Sequence, residues 1–449
     1  MLFKQFVDDD LGCGSYLIGD ESTGEAVVVD PAYAIEQYLE AAEEHGVRIV
    51  RVLETHTHAD HVSGHGRFAL EHETPVAIHP AADPEFPFEA LEDGGTIEVG
   101  EVRLRVVHTP GHRPEHCSFE VVDRSRAGEP WLVLTGDSLF VGDAARPDLA
   151  VEAVEGAQGL FHSLQRLLEL HDGVEVYPGH VAGSLCGAGM SSKPSTTIGF
   201  ERRFNSALAH PGEQEFIDAT AHSASPRPPT TDRVVGLNRG VFLGRAEPLR
   251  PLGADAGAAT VLDVRRPHAF AQGHIEGAFN VPVSGSGFGT KAGFVLSLDE
   301  PLAIHASSPE EAHEAAAKLN AVGLFELAGY LEQPATPARI EPVKIEELER
   351  LLAADAVELL DVRELDERDG GYIPGSRNVP YRLVRSAAAE IGNGRPVITI
   401  CNGGARASVA ASVLLAAGVE ARPVLDGGVD DWAERGNATT AFRRCGSSG

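Results

Sequence analysis

THTHADH, residues 55–61, sets His56, His58, Asp60 and His61 within six positions directly after the apolar strand pattern IVRVLE. Such a density of imidazole and carboxylate has little structural use. Buried ionisable groups are costly to desolvate unless a cation compensates them. Three further groups close later apolar runs: His112 in HTPGH, Asp137 in LVLTGDS and His180 in VYPGH. Strands of one sheet deliver such residues to a common edge, so the pattern predicts a single metal centre. Around it the chain alternates strand and helix. AVVVDPA (26–32) reads as a buried strand ending in a turn, and AIEQYLEAAEEHG (34–46) as a helix with a Gly stop.

This alternation runs to about Asn205. The next segment, 209–250, contains the Pro-rich SASPRPPTTDR, expected to be a loop or lid attached to the first domain, which then spans 1–250. Beyond it the chain repeats. VLDVRRPHAFAQGHIEGAFNVP (261–282) matches LLDVRELDERDGGYIPGSRNVP (359–380) at a spacing of 98 residues. PLAIHA (301–306) parallels PVITIC (396–401), each before an Ala-rich helix. Two copies of one α/β unit are therefore expected, at 251–335 and 340–440, joined by the linker 331–342. The tail NATTAFRRCGSSG is expected to fray.

The bulk composition narrows the possibilities. At 449 residues, roughly three domains are expected. A net charge of −30 argues against nucleic-acid or anionic-membrane partners, both of which need basic surface. The opening MLFKQFVDDDLGCGSYLIGD has no long apolar core, so no secretory signal is expected, nor is any bilayer-spanning run. Five widely spaced Cys make no disulfide framework, and a reducing cytoplasm is the expected location.

The second constellation is CNGGARAS, which follows the strand PVITI and leads into a helix. A strand, a short loop and a helix aim successive backbone N–H groups and the helix's positive end at Cys401. Both favour a thiolate and a persulfide anion. Asn402, Gly403, Gly404 and Ala405 form the loop, the Gly pair lets it turn inward, and Arg406 closes it as a second cationic donor. The first copy has Ala306 where the second has Cys401, so it cannot form a persulfide; a spacer or oligomer-contact role is the expectation.

The order HxHxDH, His, Asp, His resembles the metallo-β-lactamase superfamily over about 1–205. That resemblance implies an αββα sandwich with metal at the rim between two sheets. The strings SLFVGDAARPDL (138–149), GSLCGAGMSSKPSTTIGFERRFN (183–205) and TPGHRPEHCSFEV resemble those of persulfide dioxygenases fused to rhodanese domains, although Ala145 stands where those relatives usually carry Gly. By the same resemblance the ligands are His56, His112 and Asp137, holding one Fe(II) per chain. His58, Asp60, His61 and His180 then orient those ligands, or bind a second metal in the alternative with two zinc ions. LLDVR, CNGGAR and LDGGVDDW (425–432) resemble a rhodanese over about 340–436, in which Asp361 and Arg363 form a structural ion pair. The implied architecture is thus the sandwich followed by two rhodanese-like α/β domains with central parallel sheets, and related fusions form homo-oligomers.

The resemblance implies oxidation of a small-molecule thiol persulfide by dioxygen to sulfite and thiol. Rhodanese transfer between persulfide, sulfite and thiosulfate is coupled to it, as in sulfide detoxification. Arg146 is a candidate for binding the anionic substrate, against the competing expectation of a local salt bridge. Cys186 is a candidate sulfur relay, against the commoner role of a small buried hydrophobe. Cys13, Cys117 and Cys445 are expected to lack supporting partners, and His65 and His72 to be surface residues. The rivals are a dizinc thioester hydrolase of the glyoxalase type, for which every ligand is present, and a non-enzymatic sulfur carrier.

Overall fold

The computed structural model describes residues 1–148, 150–181, 190–221, 226–392 and 394–441. They form two compact units, Met1–Ala246 with Asn320–Gly323, and Glu247–Leu319 with Leu324–Gly449.

The first unit holds two six-stranded sheets. One contains β1 (Leu2–Val7), β2 (Gly14–Asp20), β3 (Glu25–Val29), β4 (Arg48–Leu53), β5 (Val76–Ile78) and β6 (Glu89–Ala90) in that order. The other runs from β7 (Thr96–Val99) through β8 (Val102–His108), β9 (Cys117–Asp123), β10 (Leu132–Gly136) and β11 (Glu175–Pro178) to β12 (Thr196–Thr197). Side chains alternate faces along each strand, which creates the layers. Tyr16, Ile18, Val27 and Val29 meet Leu104, Phe119 and Leu134 between the sheets. On the outer face of the first sheet, Leu17, Val28 and Val52 pack on Tyr38 and Ala41 of the helix Glu36–Glu44. Val133 and Val176 pack on Leu160 and Leu164 of the helix Ala153–Leu167 outside the second. Each such fully buried side chain contributes about 2 kcal/mol relative to exposure. The expected αββα sandwich is present.

The segment expected as an irregular lid instead contains the helices Glu213–Thr220 and Thr230–Arg239. Pro226, Pro228 and Pro229 lie just before the second helix. Proline is tolerated at a helix start because the first-turn N–H groups lack intrahelical acceptors anyway. The prolines therefore start a helix here.

In the second unit the repeat is structural. β13 (Thr260–Asp263), β14 (Phe279–Asn280), β15 (Leu302–His305) and β16 (Leu327–Tyr330) make a parallel sheet of order β14-β13-β15-β16. β17 (Glu358–Asp361), β18 (Arg377–Asn378), β19 (Val397–Ile400) and β20 (Ala421–Pro423) repeat it as β18-β17-β19-β20. The correspondence extends to single bonds. Arg265 pairs with Asp263 at 2.6 Å and Arg363 with Asp361 at 2.8 Å. Asn280 and Asn378 each donate to two backbone carbonyls of the neighbouring Asp-x-Arg turn.

The first copy also packs directly on the second. Ser408 Oγ donates to Asn280 Oδ1 at 2.6 Å, and the Asn280 amide donates to Ser412 Oγ at 2.9 Å. Both serines lie on the helix Ala405–Ala416 that leads out of the Cys401 loop. The tail is tied down at its start, where Thr440 exchanges backbone hydrogen bonds with Tyr372 and Trp432 Nε1 donates to the Ala438 carbonyl.

Candidate metal centre and sulfur-transfer loop

His56, His112, Asp137 and His180 follow β4, β8, β10 and β11, as their place in the sequence predicts. Single donor atoms of His56, His112 and Asp137 lie within 4.8 Å of one another, and all three residues are buried. The tautomers of both rings follow from their neighbours. His112 Nδ1 lies 3.2 Å from the Arg146 carbonyl, which only accepts, so Nδ1 carries the proton. Thr55 Oγ1 donates to Asp30 Oδ2 at 2.8 Å and lies 2.9 Å from His56 Nδ1. With its own proton committed to a carboxylate, that hydroxyl accepts from His56 Nδ1–H. Both imidazoles are thus left with a lone pair on Nε2, and hydrogen bonds of this kind orient metal-binding histidines. Burial lowers the pKa of both rings, holding them neutral, the form that binds a cation.

Asp137 is fixed from two sides. Its backbone N–H donates to His116 Nε2 at 2.9 Å, and its Oδ1 accepts from His180 Nδ1 at 2.7 Å. Gly136 precedes it at φ +48°, where an added Cβ would stand 2.6 Å from His116 Nε2. Burial raises the Asp137 pKa, but His180 and His112 outweigh it and keep the group ionised. Asp137 Oδ2 is buried without a hydrogen-bond partner, as are His58 Nδ1 and His61 Nε2. An unsatisfied buried polar atom costs about 1–3 kcal/mol. The unpartnered Asp137 Oδ2, beside His56 and His112, fits a cation at this place, so the donor set suits the metal its chemistry implies.

The remaining motif residues split into two groups. His58 turns Nε2 to Glu54 Oε2 at 3.1 Å and Asp30 Oδ1 at 3.3 Å. Burial alone would lower its pKa, yet these carboxylates hold it well above the ordinary value. Burial likewise opposes ionisation of Glu54, which hydrogen bonds from His58 and His65 bring down to about 2. On the other side, His180 Nε2 is 2.7 Å from Asp60 Oδ2, and Cys13 Sγ is 3.1 Å from that same oxygen.

In the second unit, Cys401 follows β19 and is 1% exposed. The Gly404 amide donates to its sulfur at 3.1 Å. Gly404 caps the following helix at φ +78°, and an added Cβ there would meet the Leu425 carbonyl oxygen at 2.4 Å. Gly403 has neither constraint, with nothing within 4 Å of an added Cβ. One glycine of the expected pair does the conformational work. Arg406 is bound through both terminal nitrogens to Glu367, at 2.6 and 2.8 Å. In the first copy, Ala306 removes the sulfur from the equivalent place.

Residues 8–180 match the family model of the metallo-beta-lactamase superfamily, and residues 250–333 and 344–435 match that of the rhodanese-like domain. A crystal structure of a metallo-beta-lactamase from Staphylococcus aureus is 31% identical with a TM-score of 0.69, covering 75% of this chain and 99% of that one. The chain belongs to the metallo-β-lactamase superfamily and carries two rhodanese-like domains. Among curated relatives, the mitochondrial persulfide dioxygenase of Bos taurus is 28% identical over 53% of this chain and 87% of its own. The cytoplasmic hydroxyacylglutathione hydrolase of Arabidopsis thaliana is 35% identical over 37% of this chain and 62% of its own.

Within the metallo-β-lactamase domain, two expectations change, and the local salt bridge weighed for Arg146 is present. Cys13 does have partners, its Sγ lying beside Asp60, His61 and His180. His65 is 4% exposed, not a surface residue, with Nδ1 3.0 Å from Glu54 Oε1. Arg146 holds Asp148 at 2.7 Å through two nitrogens, while its carbonyl orients His112. Ala145 lies outside the left-handed region, so alanine fits where relatives have glycine. Cys186 and Cys445 lie outside the described residues. Asn238 was missed: its amide donates to the carbonyls of His58 at 3.0 Å and His61 at 2.8 Å, and its Oδ1 accepts from the Ser63 amide at 2.8 Å. Nothing in LNRG marks it.

Proposed function

We propose that the chain oxidises a low-molecular-weight thiol persulfide with dioxygen and passes sulfur onward through Cys401. The observation that carries this reading is the pairing in one chain of a two-imidazole, one-carboxylate set with a cysteine at the head of a rhodanese-like loop. His56 and His112 present Nε2 lone pairs beside the Asp137 carboxylate. Held by that set, one Fe(II) would supply the open positions and redox activity that dioxygen chemistry needs and zinc lacks. The net change is R-SSH + O2 + H2O giving R-SH, sulfite and two protons.

The protein's own residues position and shield. Thr55 and the Arg146 carbonyl hold the two rings in their tautomers, and His116 and His180 hold Asp137. His58, between Glu54 and Asp30, braces the turn that carries His56. In the second unit, Cys401 attacks the outer sulfur of thiosulfate, forming an S–S bond and releasing sulfite. The Cys401 persulfide then yields that sulfur to a thiol, and the reverse order makes thiosulfate from sulfite. The Gly404 amide directs a positive dipole at the sulfur, and Arg406, bonded to Glu367, closes the loop. Tethering raises the local concentration of the sulfur species shared by the two reactions.

A second reading, thioester hydrolysis with two zinc ions, draws on the similarity to the Arabidopsis thaliana hydrolase and on Asp60, His61 and His180 as further donors. It leaves Cys401 without a task. Oxygen-electrode traces with sulfite assay on iron-loaded protein test the proposal. One sulfite formed per dioxygen consumed supports it, and persulfide turnover without oxygen uptake overturns it.

A further inference from the structure

We propose that the rhodanese-like copy without a thiol sets the geometry of the other copy's sulfur-transfer loop, with Asn280 as its positioning residue. The inference rests on the proposed transfer through Cys401 and names what holds that cysteine in working order. Three hydrogen bonds run in series from the sulfur to Asn280. The Gly404 amide donates to Cys401 Sγ at 3.1 Å, the Ser408 amide donates to the Gly404 carbonyl at 2.9 Å, and Ser408 Oγ donates to Asn280 Oδ1 at 2.6 Å. The middle bond closes the first turn of the helix Ala405–Ala416, so Asn280 grips that helix at the turn whose leading amide meets the sulfur. One turn on, Ser412 Oγ accepts from the Asn280 amide at 2.9 Å and donates to the Val409 carbonyl at 2.8 Å.

Asn280 is itself fixed. It ends β14, is fully buried, and its side-chain amide donates to the Asp263 and Arg265 carbonyls at 3.0 and 2.9 Å. Ser408 and Ser412 are buried too, so water does not replace these bonds. A second contact holds the other flank of the loop. Leu425 packs with Phe270, Ala271 and Leu331 of the first copy, and its carbonyl is the group against which Gly404 is fitted. Gly404 is therefore held on both sides by elements that the first copy anchors.

The relation runs one way. Asn378 takes the place of Asn280 in the second copy and makes the same two donations, yet among the described residues its Oδ1 has no hydrogen-bond partner. On the first copy's own helix, His313 and Ala317 stand where the second copy has Ser408 and Ser412. The asparagine acceptor is thus used only where it reaches the copy that carries the thiol. The pull of a helix's positive end on an anion falls off within the first turn. A helix free to shift at Ser408 would loosen its hold on the Cys401 sulfur.

Ser408→Ala in the full chain cuts the series without touching the sulfur or a substrate. Sulfurtransferase kcat is expected to fall about tenfold with KM for thiosulfate within about twofold, since the reacting group shifts and no substrate contact is lost. Alkylation of Cys401 by iodoacetamide, followed by mass spectrometry, should slow about fivefold at neutral pH. Ser408→Thr keeps the hydroxyl and should restore both. Ser412→Ala removes only the second bond and serves if Ser408→Ala does not fold; its alkylation rate should fall about threefold. Wild-type rates in whichever alanine variant folds, a loss confined to KM, or no recovery in Ser408→Thr would overturn the assignment. Alkylation needs no turnover. Wild-type protein that transfers no sulfur would count against the proposed reaction, while the alkylation rates would still decide the positioning.

Discussion

The hydroxyl of Thr55 links a buried carboxylate to an imidazole, donating to Asp30 at 2.8 Å and accepting from His56 Nδ1 at 2.9 Å. This one relay leaves His56 with its lone pair on Nε2. Thr55→Val keeps the shape and removes the relay. Metal affinity is expected to fall about 10- to 100-fold, read by competition with a chelator, and Thr55→Ser should restore most of it. Equal affinity in Thr55→Val would mean that the ring is fixed by packing alone.

Asn238 closes the motif turn from a helix far along the chain. Asn238→Ala strands two carbonyls and the Ser63 amide in a buried place, so the first unit should lose about 3 kcal/mol in denaturant unfolding. Metal content should fall with it, since His58 and His61 are held through those carbonyls.

The two loop glycines separate cleanly. Gly404→Ala meets both a left-handed backbone and the Leu425 carbonyl. A reacting group displaced by about 1 Å can cost about 100-fold in rate, and that is the expected loss in sulfurtransferase kcat/KM. Gly403→Ala, with open space around it, should stay within about twofold, as surface substitutions away from such features usually do.

Acid stability has a named contributor in the first unit. The Arg67 guanidinium, bonded to Glu71 at 2.7 Å, lowers the Glu71 carboxyl from 4.5 to about 2. A depressed carboxyl stabilises the fold fully above its unfolded value, and that stability is lost as pH falls through the folded value. Wild type should therefore lose about 2 kcal/mol relative to Glu71→Gln between pH about 4.5 and about 2, allowing for solvent screening. Parallel acid-unfolding curves for the two proteins would contradict the assignment.

Much of this was legible in the chain itself, for a physical reason. His56, His58, Asp60 and His61 are neighbours in sequence, and His112, Asp137 and His180 each end an apolar strand, so local pattern reports a spatial cluster. The repeat was legible because each copy folds by the same short-range rules. Cys13 was not, because its partners lie 47 and 167 residues away and a lone cysteine carries no periodic signal. Asn238, 180 residues from His58, was hidden in the same way. His65 was misread because its carboxylate partner, Glu54, lies eleven residues back, just after a strand, and reads as an ordinary acid. The helix at 230–239 was missed because prolines that mark a loop also mark a helix start.

The central claim is that the metal centre performs oxygen chemistry on sulfur. The most direct measurement sets iron-loaded and zinc-loaded samples of the full chain side by side, each given a thiol persulfide and a glutathione thioester. Oxygen uptake and sulfite are expected from the iron-loaded sample with the persulfide alone, with little thioester cleavage from either. Rapid thioester hydrolysis by the zinc-loaded protein, with no oxygen uptake by the iron-loaded one, would contradict that claim.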